Sequence, residues 1–296
     1  MLPSALAAAL VLAPPVAGAD GPGDARGGDP VAAADTDPVT ASVATWRALF
    51  ALQVPRCLAV PPDEQQRYAV LAQQALQAAA TLLVQPQFLL VVDRADRSQV
   101  VLLYVARPVP QVWHWIGATP VATGRPGSFD HFLTPLGVFL HGPANPDFRA
   151  EGTRNEFGIR GYGLKGRRVY DFGWVTGERT WGRGGLGTMR LQMHATDPDL
   201  LEPHLGQRGS KGCVRIPAAL NHFIDTNGVL DAEYDAAQAA GARFWVFDRP
   251  PLPNPLAGRW MVVVDSARSS RPDWAAPPPA AGRAPLLAAG ASGSVC

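Results

Sequence analysis

Hydrophobic and polar positions repeat with two different periods along the chain, and the change of period separates a helical part from a strand-rich part. From Asp63 to Val84 apolar residues recur every three or four positions, behind Pro61-Pro62 and an acidic first turn, which predicts an amphipathic helix. From residue 87 onward the apolar residues form short runs rich in Val, Leu, Tyr and Trp between polar or proline-containing turns, as is typical of antiparallel strands. The predicted strands are 87–93, 98–105, 111–118, 138–141, 188–194 and 243–248. No strand-helix alternation indicates a parallel sheet, so we expect a mainly β core.

The two ends of the chain differ from this core. Residues 20–38 contain Gly, Pro, Ala and Asp with almost no large apolar side chains, so we interpret them as a linker. A helical N-terminal region (39–85) then precedes a core domain (86–250), in which a small Ala-rich helix (231–242) comes before the last predicted strand. Residues 251–296 form a Pro/Ala-rich C-terminal tail that includes one further apolar run, 259–265.

The N-terminus predicts export. Residues 1–19 contain an apolar run and end in Ala17-Gly18-Ala19, the small-x-small form that signal peptidase cleaves. No basic residue precedes Arg26, so a membrane anchor or an incorrectly assigned start is the alternative. Elsewhere no apolar run reaches the roughly 20 residues of a spanning helix, so we expect no membrane span in the mature protein and a location in the periplasm or cell envelope.

The near-balance of charges disfavours nucleic-acid binding, which would need a local basic patch. The chain has 296 residues, of which 26 are basic and 25 acidic, so no global positive field attracts nucleic acid. With 47% hydrophobic residues the chain is long and apolar enough for a sizeable core.

One of the three cysteines has surroundings suited to chemistry. Lys211 and Arg215 each lie two positions from Cys213 and favour its thiolate, which is the nucleophilic form. Gly212 lets a substrate carbonyl approach the backbone, where peptide N–H groups can stabilise an oxyanion. His194, at the end of a predicted strand, is the candidate base. The alternative is a structural cysteine among chance basic neighbours.

The segment Ser210-Lys211-Gly212-Cys213-Val214-Arg215 resembles the S-H-G-C-x-R signature of the L,D-transpeptidase catalytic domain (YkuD-type), with His194 where that family keeps its catalytic histidine. Thr134-Pro135-Leu136-Gly137-Val138-Phe139 is similar to the family's T-P-x-G-x-F strand, and the run from Phe88 ends in a Thr123-Gly124 turn that matches its opening strands. The resemblance covers about residues 86–250 and implies a β-sandwich or open barrel.

The resemblance also implies an activity on peptidoglycan stem peptides that needs no cofactor. Cys213 would attack a tetrapeptide stem, release D-Ala and form a thioester, with His194 moving the proton. Transfer to an amine acceptor gives 3-3 crosslinks, whereas water gives an L,D-carboxypeptidase or endopeptidase. Arg215 and Ser210 would orient the substrate or the turn, Arg215 on a stem carboxylate. A carbapenem adduct on Cys213 is expected from the same chemistry.

Three departures from the family pattern bear on substrate preference rather than on the nucleophile. Lys211 replaces the usual histidine, Ala195 replaces a common glycine, and the gap from His194 to Cys213 is longer than usual. Residues 140–187, rich in Gly, Arg and aromatic residues, form either a lid over the site or a solvated surface insertion.

Other interpretations rest on weaker patterns. The histidines lack the spacing of a zinc site, so we expect no metal. The Gly-rich segment 182–187 lacks the Lys-Ser/Thr of a P-loop and predicts a turn, while Trp113 and Trp115 share one strand face that we assign to core packing. Cys57 and Cys296 could form a disulfide in an oxidising compartment, or Cys296 could stay free or pair between molecules. A non-catalytic cell-wall binding protein is the non-enzyme alternative.

Overall fold

The computed structural model describes residues 38–108, 112–247 and 253–277. Within these ranges the chain forms four α-helices and ten β-strands, so sheets dominate the fold and the expectation of a mainly β protein is confirmed at that level. All described residues belong to one compact unit. The predicted signal peptide and all but the last residue of the predicted linker lie outside the described residues.

Two helices come before the first strand. They are α1 (Pro38–Gln53) and α2 (Pro62–Ala78), and α2 begins with a proline followed by Asp63 and Glu64, a favourable start because the first-turn N–H groups have no helical acceptor. The strands are β1 (Gln87–Asp93), β2 (Val100–Ala106), β3 (Trp113–Pro120), β4 (Phe132–Leu133), β5 (Gly137–Leu140), β6 (Phe148–Arg149), β7 (Arg168–Arg179), β8 (Leu186–Ala195), β9 (Val214–Ile216) and β10 (Trp260–Val264). The later helices are α3 (Ala218–Thr226) and α4 (Ala232–Ala239).

The strands form two sheets that share one hydrophobic core. The first has the order β3-β2-β1-β10-β5 and the second the order β4-β7-β8-β9, with β6 paired to β7. Apolar side chains from β1, β2, β7, β8 and β9 belong to a single buried cluster, to which α1 and α3 also contribute. A second cluster lies on the other face of the first sheet, between that sheet and α2. Burial on both faces explains why every residue of β1 and β2 is buried.

Two strand pairs are parallel, contrary to the sequence-based expectation. β1 pairs in parallel with β10, and β8 pairs in parallel with β9. Both pairs join segments that are distant or separated by an irregular crossover, so local periodicity does not reveal them. The β8–β9 pair positions the candidate catalytic residues.

The predicted boundary at residue 250 is wrong for the following strand. Residues 260–264 form β10, which lies inside the first sheet between β1 and β5. The following segment also packs on the domain, because Trp274 lies edge-on to Tyr68 of α2 with 6.0 Å between ring centroids. The predicted Pro/Ala-rich tail is therefore part of the folded domain at β10 and at Trp274, and residues 278–296 lie outside the described ranges.

The strand predicted at 243–248 is also wrong: residues 243–247 form no strand in the part of the chain that is described. Phe244 and Phe247 instead pack edge-on against Tyr234 of α4, with centroid distances of 4.9 and 5.5 Å. The aromatic residues that suggested a strand, Phe244 and Phe247, therefore belong to an aromatic cluster with Tyr234. Residues 182–185 of the Gly-rich segment lie in the connection between β7 and β8, as predicted, whereas residues 186 and 187 begin β8.

The region 140–187 is only partly an insertion. Residues 168–179 form β7, which pairs along most of its length with β8 and belongs to the second sheet. Residues 150–167 remain a loop, and this loop packs on the end of β8: a side chain on Gly163 would lie 3.1 Å from the Ala195 Cβ. Residues 159–163 of the loop therefore cover this part of β8, whereas residues 153–157 and 164–166 are exposed to solvent.

Candidate functional site

The loop that carries Cys213 is held in place by the segment around Thr123. The N–H groups of Gly209 and Ser210 both donate to the Thr123 carbonyl, at 2.9 and 3.0 Å, and the Arg125 N–H donates to the Ser210 carbonyl at 2.9 Å. Gln99, from the β1–β2 turn, donates its amide to the Thr123 hydroxyl at 2.8 Å. The Thr123-Gly124 turn is therefore a support for the cysteine loop.

A second support comes from the segment that contains Thr134. The Thr134 hydroxyl donates to the Gly212 carbonyl at 2.7 Å and accepts the Gly124 N–H at 2.9 Å. The Phe132 N–H donates to the Lys211 carbonyl at 2.9 Å. Three sequence motifs that lie far apart in the chain therefore meet at one loop, and Thr134 bonds to both of the others.

Inside the loop, Ser210 has a structural role rather than a place beside substrate. Its hydroxyl donates to the Cys213 carbonyl at 2.6 Å and accepts the Gly212 N–H at 3.1 Å. The Gly212 N–H is thus already used, so the expectation that it serves as an oxyanion donor is wrong for this state. Gly212 has φ of +140°, and a Cβ there would lie 2.6 Å from the Met189 methyl, so only glycine fits.

Cys213 stands at the entrance to β9 with its side chain fully buried. Its Sγ lies 3.6 Å from the Arg190 carbonyl oxygen. The residue is disulfide-bonded in this structure, whereas Cys57 is an exposed free thiol, so the nucleophilic form of Cys213 requires reduction. The suggested Cys57–Cys296 disulfide is wrong in this structure because Cys57 is free. Cys296 itself lies outside the described residues.

His194 lies on β8, directly beside the strand that Cys213 leads into. The parallel register pairs His194 with Arg215, two residues after Cys213. Because side chains alternate along a strand, positions 213 and 215 share the face of His194, while Met193 and Val214 enter the core. The register therefore places the candidate base and nucleophile on one face of adjacent strands.

The hydrogen bonds of His194 define which of its ring nitrogens can take a proton. Nδ1 lies 2.6 Å from the Ala195 carbonyl oxygen, which can only accept, so Nδ1 carries the hydrogen. Nε2 is buried and has no hydrogen-bond partner among the described residues, Cys213 Sγ included. The free Nε2 lone pair is the acceptor that a general base needs, although base and nucleophile are not in hydrogen-bond contact in this state.

Burial keeps the His194 ring neutral. Burial lowers the pKa of His194 to about 3, the hydrogen bond to the Ala195 carbonyl opposes that change, and the positive charge of Arg215 adds to it. The imidazole is therefore uncharged near neutral pH, and with so low a pKa it is a weak base in this resting state. A thiolate beside it would favour the imidazolium and raise this pKa during the reaction.

Tyr162, a residue that the sequence did not single out, covers His194. Its ring meets the imidazole edge-on with 4.7 Å between centroids, and its hydroxyl donates to the Gln192 side chain at 2.9 Å. Phe148 also packs edge-on against the Tyr162 ring, with 5.4 Å between the ring centroids. An isolated Tyr between two glycines gives no signal of such a role, since the contact depends on how the loop folds back on β8.

The two basic residues near Cys213 differ in their surroundings. Burial and then the nearby Arg125 lower the pKa of Arg215 to about 10, and its Nη1 donates to the Gly209 carbonyl at 2.8 Å. Lys211 forms an ion pair with Asp130 at 3.3 Å, so much of its charge is neutralised there. The two cations next to Cys213 therefore differ: Arg215 is buried, and Lys211 is ion-paired near the surface.

The described residues contain no group of three or more His, Cys, Asp or Glu side chains arranged to hold a metal ion. Within the same residues no helix has the length and apolar character needed to cross a membrane. Trp113 and Trp115 pack edge-on against Tyr104, each at 5.6 Å, alongside the cluster between the first sheet and α2.

Comparisons with known proteins leave the family open. No family model matches the chain, and no curated protein matches it. One solved structure that matches is entitled "Crystal structure of Fused Zn-dependent amidase/peptidase/peptodoglycan-binding domain-containing protein from Clostridium acetobutylicum ATCC 824", with 14% identity and a TM-score of 0.27. The match covers 69% of this chain and 62% of that one. A TM-score this low does not establish a shared fold.

Proposed function

We propose that this protein is a cysteine acyltransferase that acts on peptidoglycan stem peptides, an L,D-transpeptidase. The observation that carries the proposal is the convergence of three motifs on one loop: Thr123-Gly124 and Thr134 hydrogen-bond the loop that ends at Cys213. His194 supports it, because its imidazole is neutral, lies on the adjacent strand and has an unused Nε2.

In the proposed reaction His194 Nε2 takes the Cys213 thiol proton, and Sγ bonds to the carbonyl carbon of the third stem residue. The bond from that carbon to the D-Ala nitrogen breaks, and the imidazolium returns its proton to the leaving amine. An acceptor amine then attacks the thioester carbon, loses its proton to His194, and releases Sγ, which recovers the proton. The Ala195 carbonyl holds the ring in the required tautomer throughout.

Product analysis tests this function. Reduced protein is incubated with purified tetrapeptide muropeptides and the products are identified by mass spectrometry. We expect crosslinked dimers that lack one D-Ala, and none with Cys213→Ala. Cys57→Ala is the matched control, because Cys57 is an exposed free thiol outside the site and its loss leaves the products unchanged.

The other outcomes are equally specific. Tripeptide monomers alone, still dependent on Cys213, would show that water rather than an amine resolves the thioester and would overturn the transfer step. Folded, reduced protein that forms neither product would overturn the proposed acyl donor.

The thiol chemistry also predicts a covalent inhibitor. A carbapenem offers a strained amide carbonyl to the same thiolate, so we expect one carbapenem mass added at Cys213 of the reduced protein. Peptide mapping locates the adduct, and Cys57 serves as an internal control. An adduct confined to Cys57 would contradict an activated Cys213.

A further inference from the structure

An exposed tryptophan, Trp174, stands on the outer face of the second sheet. Alternate residues of β8 from Met189 to Met193 enter the core, so the side chain of Arg190 points to the opposite face, the one that also carries His194. Trp174 of β7 pairs with Arg190 and therefore lies on this outer face. Its side chain is 67% exposed, which is unusual for the largest apolar residue type.

A β-bulge turns Trp174 outward. Phe172 enters the core, and strict alternation would send residue 174 there as well. The register with β8 shifts between Asp171 and Trp174, so one extra residue moves the indole to the outer face. Gly173 within the bulge has φ of +83°, and a Cβ there would lie 2.7 Å from the Asn145 side chain, so the position requires glycine. The exposure of Trp174 is therefore built into the strand.

The exposed indole is braced from inside the protein. The Arg190 guanidinium lies 5.5 Å from the centroid of the Trp174 ring, and its Nε donates to Asp171 at 2.8 Å. Asp171 is buried and also accepts the Gly173 N–H and the Gln192 side-chain amide, each at 2.8 Å. A buried carboxylate thus fixes the guanidinium, and the guanidinium fixes the ring. An exposed ring held in this way gains little from the hydrophobic effect in the free protein, but it is preorganised for a ligand.

The surface next to the indole is polar. Thr176 and Thr188 form the next outward-facing pair of β7 and β8, and both are exposed. A flat apolar ring beside two hydroxyl groups and a guanidinium suits a pyranose ring, because one face of the sugar presents C–H groups and its rim carries hydroxyl groups.

The position of Trp174 relative to Cys213 matches the length of a stem peptide. Cys213 Sγ lies 3.6 Å from the backbone oxygen of Arg190, the residue paired with Trp174. β8 lies between β7 and β9, so two strand spacings and a short offset along the strands place the backbones of Trp174 and Cys213 roughly 12 Å apart. A stem peptide is joined to a sugar by its first residue, and three extended residues span about 10–11 Å. The sugar of a donor whose third carbonyl lies at Cys213 therefore reaches the indole.

We propose that Trp174, braced by Arg190 and Asp171, is a stacking platform for a pyranose ring of the glycan strand that carries the donor stem. The assignment rests on the proposed function and deepens it, because it makes a stem that is still joined to its sugars a better donor than the free peptide. Trp174 is thereby a specificity-determining residue that lies outside the motifs around Cys213.

Two donors that differ only in the sugar test the platform. Reduced protein is given either N-acetylglucosaminyl-N-acetylmuramyl tetrapeptide or the same tetrapeptide without sugars, and kcat/KM is measured for each. We expect kcat/KM to be about tenfold higher for the sugar-linked donor, mainly through a lower KM, because the stacked sugar is bound equally well before and during the reaction.

Substitutions assign this advantage to one ring. Trp174→Ala should remove most of it while leaving kcat/KM for the free tetrapeptide within about twofold, and Trp174→Phe should keep part of it because an aromatic face remains. Trp245→Ala is the matched control. Trp245 is 69% exposed but lies near the opposite end of β7, where the adjacent Val246 carbonyl accepts from Arg149. That variant keeps the full advantage.

A binding measurement separates failure of the platform from failure of the proposed function. Peptide-free glycan chains are titrated into the protein, and the indole N–H signals are followed by NMR, with the Trp174 signal identified by its loss in Trp174→Ala. We expect the Trp174 signal to shift and the Trp245 signal to stay. Equal kcat/KM for the two donors, or glycan that shifts both signals alike or neither, would overturn the platform and leave the acyltransferase assignment standing. A selective shift at Trp174 without turnover of either donor would keep the platform and overturn the donor assignment.

Discussion

Two fully buried histidines, His141 and His194, have contrasting surroundings: His141 lies in an ion-pair network, whereas His194 is the base of the proposed reaction. Each has one ring nitrogen on a backbone carbonyl: His141 Nδ1 lies 2.8 Å from the Leu230 oxygen, and His194 Nδ1 lies 2.6 Å from the Ala195 oxygen. They differ at Nε2, which in His141 lies 3.0 Å from both Asp147 oxygens and in His194 has no hydrogen-bond partner within the described part of the chain.

The surroundings of His141 form a closed ionic network. Both of its ring nitrogens face groups that only accept, so both must donate and the ring is an imidazolium. Arg168 is also fully buried and binds Asp147 at 2.6 Å and Asp231 at 2.8 Å. Arg168 also lies 3.6 Å from Asp225, which pairs with Arg149, so three cations and three carboxylates balance. Tyr170 and Tyr234 add cation–π contacts to Arg168 at 5.0 and 5.2 Å.

The two environments move the pKa values in opposite directions. Burial alone lowers the pKa of His141, but the Asp147 carboxylate outweighs it and raises the value above normal. At His194 no carboxylate opposes burial, and the pKa falls to about 3. The acceptors on both ring nitrogens thus keep His141 positively charged. The Nε2 of His194 has no such acceptor and can still take a proton.

The largest expected effect is on enzymatic activity, and it distinguishes His194 from His141. His194→Ala should lower kcat/KM for donor acylation by about 10²–10⁴, the usual contribution of a general base, with little loss of folded protein. Steady-state assays with the tetrapeptide donor measure this, and circular dichroism checks the fold. His222→Ala is the matched control, since His222 is exposed on α3. A His194→Ala variant with near-normal kcat/KM would end the comparison.

The second effect concerns stability. His141→Ala leaves Asp147 and Arg168 with one cation fewer in a dry interior, so we expect the free energy of unfolding to fall by roughly 3–5 kcal/mol. Urea denaturation measures the change. The fraction that stays folded should retain its kcat, because His141 lies outside the Cys213 loop, and a selective loss of kcat without destabilisation would reverse the assigned roles.

The pH dependence of stability sharpens the comparison further. The raised pKa of His141 contributes stability that is complete below the ordinary value of 6.5 and is lost as pH rises through the folded-state value. The lowered pKa of His194 contributes stability that is present above 6.5 and is lost as pH falls toward about 3.

Thermal unfolding measured across pH tests both the acid side and the alkaline side of the stability profile. His141→Asn should flatten the alkaline limb of the Tm profile, and His194→Asn should flatten the acid limb. Flattening of the same limb by both substitutions would show that the two rings do not differ in charge.

The smallest effect concerns the cover over His194. Tyr162→Phe removes the hydrogen bond to Gln192 but keeps the edge-on ring contact, so we expect a loss of about 1 kcal/mol in stability and a modest change in kcat/KM. Tyr162→Ala removes both contacts and should raise the pKa of His194, because water then reaches the ring. NMR titration of His194 measures this change, and an unaltered pKa would show that Tyr162 does not control its solvation.

The fold is predictable from the sequence where the pairing is local. The runs at 87–93, 98–105 and 111–118 correspond to β1, β2 and β3, because consecutive apolar strands joined by short turns pair with each other. The pairing of β10 could not be predicted in this way. Its apolar run is visible in the sequence, but its partner β1 lies far away along the chain, and only tertiary structure brings the two strands together.

β7 was missed for a different reason. Its sequence mixes Asp and Gly with aromatic residues, and the register shifts between Asp171 and Trp174, so no clean alternation is present. The helix predicted over 63–84 ends at Ala78, with Ala80 at φ of +49° just beyond it.

The candidate site, like the fold, could be predicted from the sequence only in part. Cys213 and His194 could be proposed from residue types and spacing, since nucleophile and base leave local signatures. The group that orients His194 could not, because it is the backbone carbonyl of Ala195, a feature that any residue type supplies. Tyr162 could not be predicted either, because the folding of the loop, rather than its distance in the sequence, places it beside His194 on β8.

The central claim is that Cys213 carries the acyl group while His194 moves its proton. The most direct measurement is peptide-mapped mass spectrometry of reduced protein, quenched in acid during turnover of the tetrapeptide donor. We predict a thioester adduct at Cys213 with the mass of the donor less its terminal D-Ala, slower to form in His194→Ala and formed at the normal rate in His222→Ala. Consumption of the donor with Cys213 unmodified, or continued turnover by Cys213→Ala, would contradict the account.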